Sequence, residues 1–267
     1  MYQLDHIVHF VERPEDAMQY FQNAGFHVVV GGKHDAWGTY NALTYFDLSY
    51  IEFIGIYNEE IFQKAAKQKY TLHESYEKRN RRNGLIRMAI STTSIDKDAQ
   101  SFQEAGFDVF GPETFSRTRL DGSVVSWKLL HIGFPNANIE FPFFIQWDQD
   151  EQLRRNEYKS RGIIADHPLG KLQLQTVNII VPNFYFIEQF AKLCDAPVEM
   201  KEDNEMNSEI ATVSLQNASM IFARPLGEGP IWDEILETGY GIQKVIFTGA
   251  NVQQEIMYDG ALFEVKV

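Results

Sequence analysis

The sequence predicts an α+β fold built from tandem βαβββ units, each a strand, a helix and three further strands, that form curved mixed sheets. The main observation is an internal repeat: residues 21–26 (FQNAGF) return as residues 102–107 (FQEAGF), a spacing of 102 − 21 = 81 residues. A 44% hydrophobic fraction with 20 Phe and 12 Tyr in 267 residues is typical of a folded, strand-rich protein. Because one copy cannot cover its own sheet face, the two copies should pair.

The first unit, residues 1–58, begins with an apolar strand at residues 4–10. Pro14, with acidic residues directly after it, is typical of a helix start, and Gly25 marks the end of that helix. Three strands then complete the unit, at residues 27–30, 39–46 and 49–55.

The second unit, residues 84–148, follows a connector predicted to be helical over residues 61–70. Its first strand is the apolar run at residues 84–90, and its helix contains the repeated segment. Its later strands are predicted at residues 109–110, 124–131 and 143–147.

A third segment repeats the order of elements with looser sequence likeness. Its strands and helix are predicted at residues 172–181, 184–193, 209–215 and 218–223, and two last strands, 243–248 and 261–267, are interpreted as the remnant of a fourth unit. The chain is thus divided into a well-preserved pair of units at 1–150 and a degenerate pair at 168–267. In the third unit, Thr176 and Ile221 take the positions of His6 and Glu52, and neither is a good ligand, so this half is expected to be structural.

Composition excludes several classes of protein. A formal charge of −13 argues against a nucleic-acid partner, because phosphate repels such a surface. The start of the chain lacks the pattern of a signal peptide, and no run of about 18 apolar residues suggests a membrane span. Cys194 is the only cysteine, which excludes an intrachain disulfide and a thiolate metal cage. A cytoplasmic protein without a membrane partner is therefore expected.

The candidate site is centred on the first strand and the last strand of unit one. Side chains alternate along a strand, so His6 and Glu52 are expected to share one hollow if these strands pair. The 81-residue spacing carries His6 to Arg87, and the likeness of the two closing strands makes Gln146 the counterpart of Glu52. Against this stands the more ordinary interpretation, a hydrogen-bonded core histidine and a solvated glutamate.

Further residues are candidates for the wall of this hollow. Pockets are mostly aromatic with a few polar groups, so Trp37, Tyr40, Asn41 and Trp127 are predicted to bind a ligand there. His34 follows a Gly-Gly turn and is predicted to lie over the mouth. For the aromatic residues, plain core packing is the alternative, and for His34 it is a solvated turn.

Three segments carry a resemblance to a known family. Residues 4–9 (LDHIVH), residues 31–43 and residues 143–147 (FFIQW) resemble a glyoxalase-like group within the vicinal oxygen chelate superfamily, which includes glyoxalases, extradiol dioxygenases, epimerases and antibiotic-resistance proteins. The resemblance implies a glyoxalase/dioxygenase-like fold. It also implies a divalent metal, Zn, Fe, Mn or Ni, at first-strand and last-strand positions of two paired units. Here those positions are His6, Glu52 and Gln146, whereas Arg87 cannot be a ligand because its guanidinium has no free lone pair.

Two chemical interpretations follow. In one, His6, Glu52 and Gln146 hold a metal that polarises the oxygens of a substrate. In the other no metal is required, and Arg87 binds an anionic group while Glu52 acts as a base or a counter-ion and His6 as a hydrogen-bond partner.

Three functions fit these residues. The first is a glyoxalase-like enzyme, a lyase, isomerase or dioxygenase type, that acts on a compact polar metabolite between units one and two. The second is a binding protein that sequesters a small molecule or an antibiotic without turnover. The third is a structural or interaction protein with a vestigial site. The expected partner is a small-molecule ligand, with a homodimer as an option.

Overall fold

The computed structural model describes residues 2–118, 122–134 and 139–267, and the side chains of these residues except Thr118. Within these ranges the helices are Pro14–Asn23 (α1), Glu59–Ala65 (α2), Leu72–Lys78 (α3), Ile95–Glu104 (α4), Glu151–Ser160 (α5), Ile187–Leu193 (α6) and Pro230–Thr238 (α7). No helix of the described residues is long and apolar enough to cross a membrane.

The described strands form two sheets. The strands of the first sheet are Gln3–Phe10 (β1), Val29–His34 (β2), Thr39–Phe46 (β3), Ser49–Ile56 (β4), Gly84–Ser91 (β5), Asp108–Thr118 (β6), Val124–Gly133 (β7) and Phe143–Trp147 (β8). The strands of the second are Gly170–Ile180 (β9), Val198–Asp203 (β10), Ser208–Ser214 (β11), Ser219–Pro225 (β12), Gly241–Ala250 (β13), Gln254–Tyr258 (β14) and Ala261–Val265 (β15).

Strand order confirms the predicted fold of paired βαβββ units. The first sheet runs β2-β3-β4-β1-β5-β8-β7-β6, and the second runs β10-β11-β12-β9-β13-β15-β14. In each sheet the first strands of two units pair antiparallel at the centre, and each first strand pairs parallel with the last strand of its own unit. The fourth unit consists of β13, β14 and β15, which agrees with its interpretation as a remnant.

One irregularity recurs in all four first strands. At this point the pairing skips one residue in each strand: Asp5 in β1, Ile86 in β5, Gln175 in β9 and Gln243 in β13. β9 and β13 have a further shift between Thr248 and Ala250. The positions of Asp5 and Ile86 are related by the repeat, since 5 + 81 = 86. A β-bulge of this kind re-aims the neighbouring side chains, so strict alternation fails at this point of every unit.

The two sheets share one apolar core. Phe21 of α1 contacts Phe263 of β15 at 5.1 Å between ring centroids, and both side chains are buried. Phe247 of β13 likewise contacts Phe46 of β3. The other face of the first sheet is partly covered by α2 and α3, where Tyr76 stacks on Phe10. The division of the chain into domains at 1–150 and 168–267 stays a prediction.

The structure also contains elements that the sequence did not predict. The helix predicted over residues 61–70 ends earlier, and a second helix, α3, follows it. The charged run after β8 is α5, whose N-terminus is capped by the side chain of Asp150. Helix α7 and the strands β10 and β14 were also missed, and β10 is largely polar, so it lacks an apolar alternation.

Candidate active site

His6 and Glu52 face each other in the first sheet, as predicted. β1 and β4 pair in parallel, with His6 opposite Tyr50 and Val8 opposite Glu52. His6 Nε2 lies 3.8 Å from Glu52 Oε2, and both residues are buried. The His6 ring stacks on the ring of Tyr50 at 4.6 Å between centroids. An imidazole and a carboxylate therefore occupy one buried, mainly aromatic site.

Asp5 holds the imidazole from the other side, a role that the sequence did not reveal. Its Oδ1 is 2.7 Å from His6 Nδ1, and its Oδ2 accepts a 2.8 Å hydrogen bond from Trp147 Nε1. Arg154 Nη1 lies 3.9 Å from the same Oδ2. Because an ionised carboxylate only accepts, the contact assigns the ring proton to Nδ1 and directs Nε2 of His6 towards Glu52. The bulge at Asp5 makes this possible, since alternation would place adjacent side chains on opposite faces.

Asn41 fixes the carboxylate of Glu52. Its Nδ2 donates a 2.5 Å hydrogen bond to Glu52 Oε1, while its Oδ1 accepts from the backbone N–H of Gly32 at 2.8 Å. The second bond settles which end of the amide faces Glu52. His34 Nε2 lies 3.8 Å from the same Oε1, and burial lowers the pKa of His34. His34 is thus at the end of β2 and in the site, rather than in a solvated turn.

A cavity of about 70 Å³ opens onto these groups. Its wall includes four of the six residues that the sequence proposed for ligand binding, namely His34, Trp37, Asn41 and Trp127. Five further aromatic side chains line it, those of Tyr45, Tyr50, Phe143, Trp147 and Tyr158. Arg117 of β6 also lines the cavity and was missed by the sequence.

Tyr40 is one of two predicted wall residues that the structure places elsewhere. It is adjacent to Asn41 in β3, so its side chain lies on the opposite face of the strand. Its hydroxyl donates to Glu15 Oε2 of α1 at 2.9 Å. The prediction that Tyr40 lines the hollow is wrong, because only residues of β3 that are an even number of positions from Asn41 face the same side.

Gln146 is the second predicted wall residue that the structure places elsewhere. Ile145 and Trp147 line the cavity, whereas Gln146 between them accepts a hydrogen bond from the backbone N–H of Ile95 at 2.8 Å. The register gives the true counterpart of Glu52: Glu52 pairs with Val8, the repeat carries Val8 to residue 8 + 81 = 89, and Ala89 pairs with Phe143. The prediction that Gln146 converges with His6 is therefore wrong.

Arg87 lies near the cavity but does not line it. In the strand pairing, Arg87 of β5 lies opposite Val8 of β1, and Val8 lies opposite Glu52 of β4. Arg87 is therefore two strands away from Glu52. Its Nη1 bonds the carbonyl of Tyr70 at 2.9 Å and Glu140 Oε2 at 3.1 Å. The structure does not bring Arg87 to Glu52, because residues near α3 hold its guanidinium instead.

The described residues do not fit the metal that the resemblance implies. No three His, Cys, Asp or Glu residues among them could hold one metal ion. An amide N–H of Asn41 points at Glu52 and also lies 3.4 Å from His34 Nε2, where a cation would need lone pairs. The second unit offers Arg87 and Phe143 at the corresponding positions, and neither is a ligand. The set His6, Glu52 and Gln146 also fails, since Gln146 faces away.

Comparison with known proteins gives the family. The chain matches the model of the glyoxalase-like domain over residues 4–194, more than two thirds of its length. This chain belongs to the glyoxalase-like domain family. The family match and the fold together place it in the vicinal oxygen chelate superfamily, which confirms the resemblance found in the sequence. The comparison with curated proteins found no match.

Two solved structures show the same fold as this glyoxalase-like chain. The crystal structure of a hypothetical protein from Staphylococcus aureus covers 100% of this chain and 100% of its own, at 21% identity and a TM-score of 0.81. A mutant of 4-hydroxymandelate synthase from Streptomyces coelicolor covers 92% of this chain and 70% of its own, at 12% identity and a TM-score of 0.54. At these identities the likeness shows the fold alone, and the chemistry must be argued from the site.

Proposed function

We propose that this chain is an enzyme of the lyase or isomerase type that moves a proton on a compact ligand held between units one and two. The observation that carries the proposal is the chain of contacts from Asp5 through His6 to Glu52, with His6 Nε2 directed to the cavity side. A buried imidazole between two carboxylates is more than packing requires. It is the arrangement of a base, the group that orients it and a second charged partner.

The roles follow from the geometry. His6 Nε2 accepts a proton from a carbon or oxygen atom of the ligand, and the imidazolium so formed is stabilised by Asp5 and Glu52. The same nitrogen returns the proton to a neighbouring atom of the ligand, so the protein ends as it began. Asp5 is a positioning residue because it acts through His6, whereas Glu52 faces the ligand directly.

The cavity limits the ligand. A volume of about 70 Å³ suits a compact molecule. Aromatic rings form much of the wall, Arg117 supplies positive charge, and Asn41 and His34 add polar groups. A small carbonyl compound with an acidic C–H bond meets these conditions, since His6 can remove that proton and the polar groups can bind the carbonyl oxygen.

Deuterium exchange tests the proposal without knowledge of the natural substrate. Pyruvate, acetoacetate and hydroxyacetone are incubated with the protein in heavy water, and loss of the C–H signal is followed by NMR. We expect catalysed exchange of at least one compound, reduced by about 100-fold or more in His6→Asn, as for other general bases. The control is Tyr40→Phe, which lies outside the cavity and should exchange like the wild type. Absence of catalysed exchange across the panel, or full activity in His6→Asn, contradicts the proposal.

A second candidate is a protein that binds a small molecule without turnover. It is favoured by the aromatic wall, where Trp127 lies 5.7 Å from Trp147 and 6.4 Å from Phe115 between ring centroids. This function predicts ligand binding that His6→Asn leaves unchanged and no exchange in any variant. The exchange experiment therefore separates the two candidates.

A further inference from the structure

One edge of the Arg87 guanidinium group has no hydrogen-bond partner among the residues that the structure describes. Its side chain is buried, and three contacts, to the Tyr70 carbonyl, Ser75 Oγ and Glu140 Oε2, all use Nη1. Nε and Nη2 are buried and have no hydrogen-bond partner. These two N–H groups point the same way along one edge of the guanidinium, which is the geometry that binds a carboxylate with two parallel hydrogen bonds.

Two buried histidines, of which His131 lies near Arg87, are also incompletely paired. His131 Nδ1 and His73 Nε2 are buried without a partner. Arg87 and His131 contact the same ring, that of Phe143, with Arg87 Cζ 5.9 Å and the His131 ring 5.5 Å from its centroid. Four unpaired polar atoms in one part of a protein interior are unusual, because buried polar groups are nearly always bonded.

The protonation state of these groups determines which kind of ligand they can bind. Burial lowers the pKa of both His73 and His131 to about 3, and the charge of Arg87 contributes for His131. The imidazoles are therefore neutral at ordinary pH, and the charge of Arg87 is paired with Glu140 at Nη1. The remaining Nε and Nη2 edge of Arg87 can only donate hydrogen bonds, and a neutral His131 can donate its Nδ1 proton, so the ligand must offer acceptor oxygens.

A small cavity adjoins the two histidines, whereas Arg87 lines a separate cavity of about 50 Å³ together with Glu140 and Pro142. The cavity at the histidines has a volume of about 20 Å³ and is lined by His73 and His131. Trp37, Leu72 and Leu129 line both this cavity and the larger one at Glu52. The space suits a single small group rather than a whole metabolite.

We propose that the Nε and Nη2 edge of Arg87, together with His131 Nδ1, forms a binding site for one carboxylate group. The group is either a free small carboxylate or the acidic end of a ligand whose other end lies in the larger cavity. The strand pairing favours the acidic end of a larger ligand, since only Val8 lies between Arg87 and Glu52 across the sheet. This site does not depend on the proton-transfer proposal, because carboxylate binding is measured without turnover.

Sodium formate is the probe. Thermal unfolding of the full chain is followed over a range of formate concentrations, with sodium chloride at equal ionic strength as the reference. We expect a saturable rise of the midpoint with formate, since a ligand that prefers the folded state stabilises it. Arg87→Lys should weaken formate binding at least tenfold, because an ammonium lacks the planar fork. The matched control is Arg79→Lys, a change at a partly buried arginine whose Nη1 bonds the Leu85 carbonyl.

The outcomes separate clearly. The site is refuted if formate acts like chloride on the wild type, or if Arg87→Lys responds like the wild type. If Arg87→Lys does not fold by circular dichroism, His131→Phe decides: weaker formate binding supports the site, and unchanged binding refutes it. Competition of formate with pyruvate assigns the carboxylate to the ligand in the larger cavity, and binding without competition assigns it to a free anion.

Discussion

In the first sheet, β4 places Glu52 opposite Val8, and in the second sheet β15 places Glu264 opposite Ile246 at the equivalent point. The surroundings of the two glutamates differ. Glu52 is buried beside His6, whereas Glu264 forms ion pairs with Lys244 at 3.2 Å and Lys266 at 3.1 Å. One backbone position therefore carries an acid–base pair in one half and an ordinary salt bridge in the other.

The helices over the two sheets add to this difference. Over the second sheet, Ile231 and Ile235 of α7 pack with Ile210, Ile221 and Ala223, so apolar side chains fill the space against that face. Over the first sheet, the cavity of about 70 Å³ stays open, and α3 contributes only Leu72 to its wall. The repeated backbone, with its four bulges, therefore offers equivalent side-chain positions in every unit. In the part of the chain that the structure describes, only the first sheet has buried polar residues at these positions beside an open cavity, which makes them a candidate site.

The largest effect is expected where the two sheets meet. Phe263→Ala removes a fully buried ring that contacts Phe21 of the other half. It should lower the free energy of unfolding by about 3–5 kcal/mol, as for other buried aromatic residues. Because the halves share one core, urea unfolding of the wild type should show one transition by fluorescence and circular dichroism. Two separate transitions, with only one moved by the substitution, would mean that the halves are independent.

Acid should destabilise the protein through the first half. Burial lowers the pKa of His9 to about 4 and those of His73 and His131 to about 3, and residues 168–267 contain no histidine. Below about pH 6.5 the unfolded chain binds protons that the folded protein excludes, so stability is full above that pH and falls as pH drops towards 4. Each histidine contributes a slope of about 1.4 kcal/mol per pH unit. Urea unfolding at several pH values should show a shallower slope for His131→Phe, and an unchanged slope would argue against a neutral buried His131.

A smaller effect is expected at Asp5. Asp5→Asn keeps the size of the side chain but removes the charge that holds the Nδ1 proton of His6. Catalysed exchange should fall roughly 10-fold to 100-fold, the size usual for a residue that orients a functional imidazole. Nitrogen-15 NMR of His6 should show the proton moving from Nδ1 towards Nε2. If exchange falls while the tautomer stays the same, Asp5 has only a structural role.

Metal removal should have the smallest effect. The donor groups at Glu52 do not fit an ion, so purified protein should carry far less than one metal per chain. Treatment with EDTA should leave catalysed exchange unchanged, which elemental analysis and the NMR assay check together. One tightly bound metal per chain, lost in Glu52→Gln, would contradict this description of the site.

Much of this architecture could be predicted from the sequence. The repeat and strand alternation give the paired units and the meeting of His6 with Glu52, and the register confirms Thr176 and Ile221 as their counterparts in unit three. Gln146 failed because it was chosen from the likeness of the two closing strands, whereas the register makes Phe143, three residues earlier, the counterpart of Glu52. Likeness in apolar pattern does not fix the register of a strand, and an odd shift moves a side chain to the other face.

Asp5 was missed and Arg87 was misplaced for another physical reason. A bulge adds one residue to a strand and leaves no mark in the apolar pattern, so alternation gives no reason to place Asp5 beside its neighbour His6. The orientation of Arg87 depends on Tyr70, Ser75 and Glu140, which are distant in sequence and reach it only through tertiary packing. Local pattern rules contain no information on such contacts.

The most direct test compares Glu52→Gln with Glu264→Gln in the deuterium-exchange assay. Both changes remove one carboxylate at the equivalent point of a sheet, and both keep the size of the side chain. We expect Glu52→Gln to lose about 100-fold or more of the catalysed exchange, and Glu264→Gln to stay close to the wild type. Equal rates for the two variants would contradict the assignment of the active site to the first sheet.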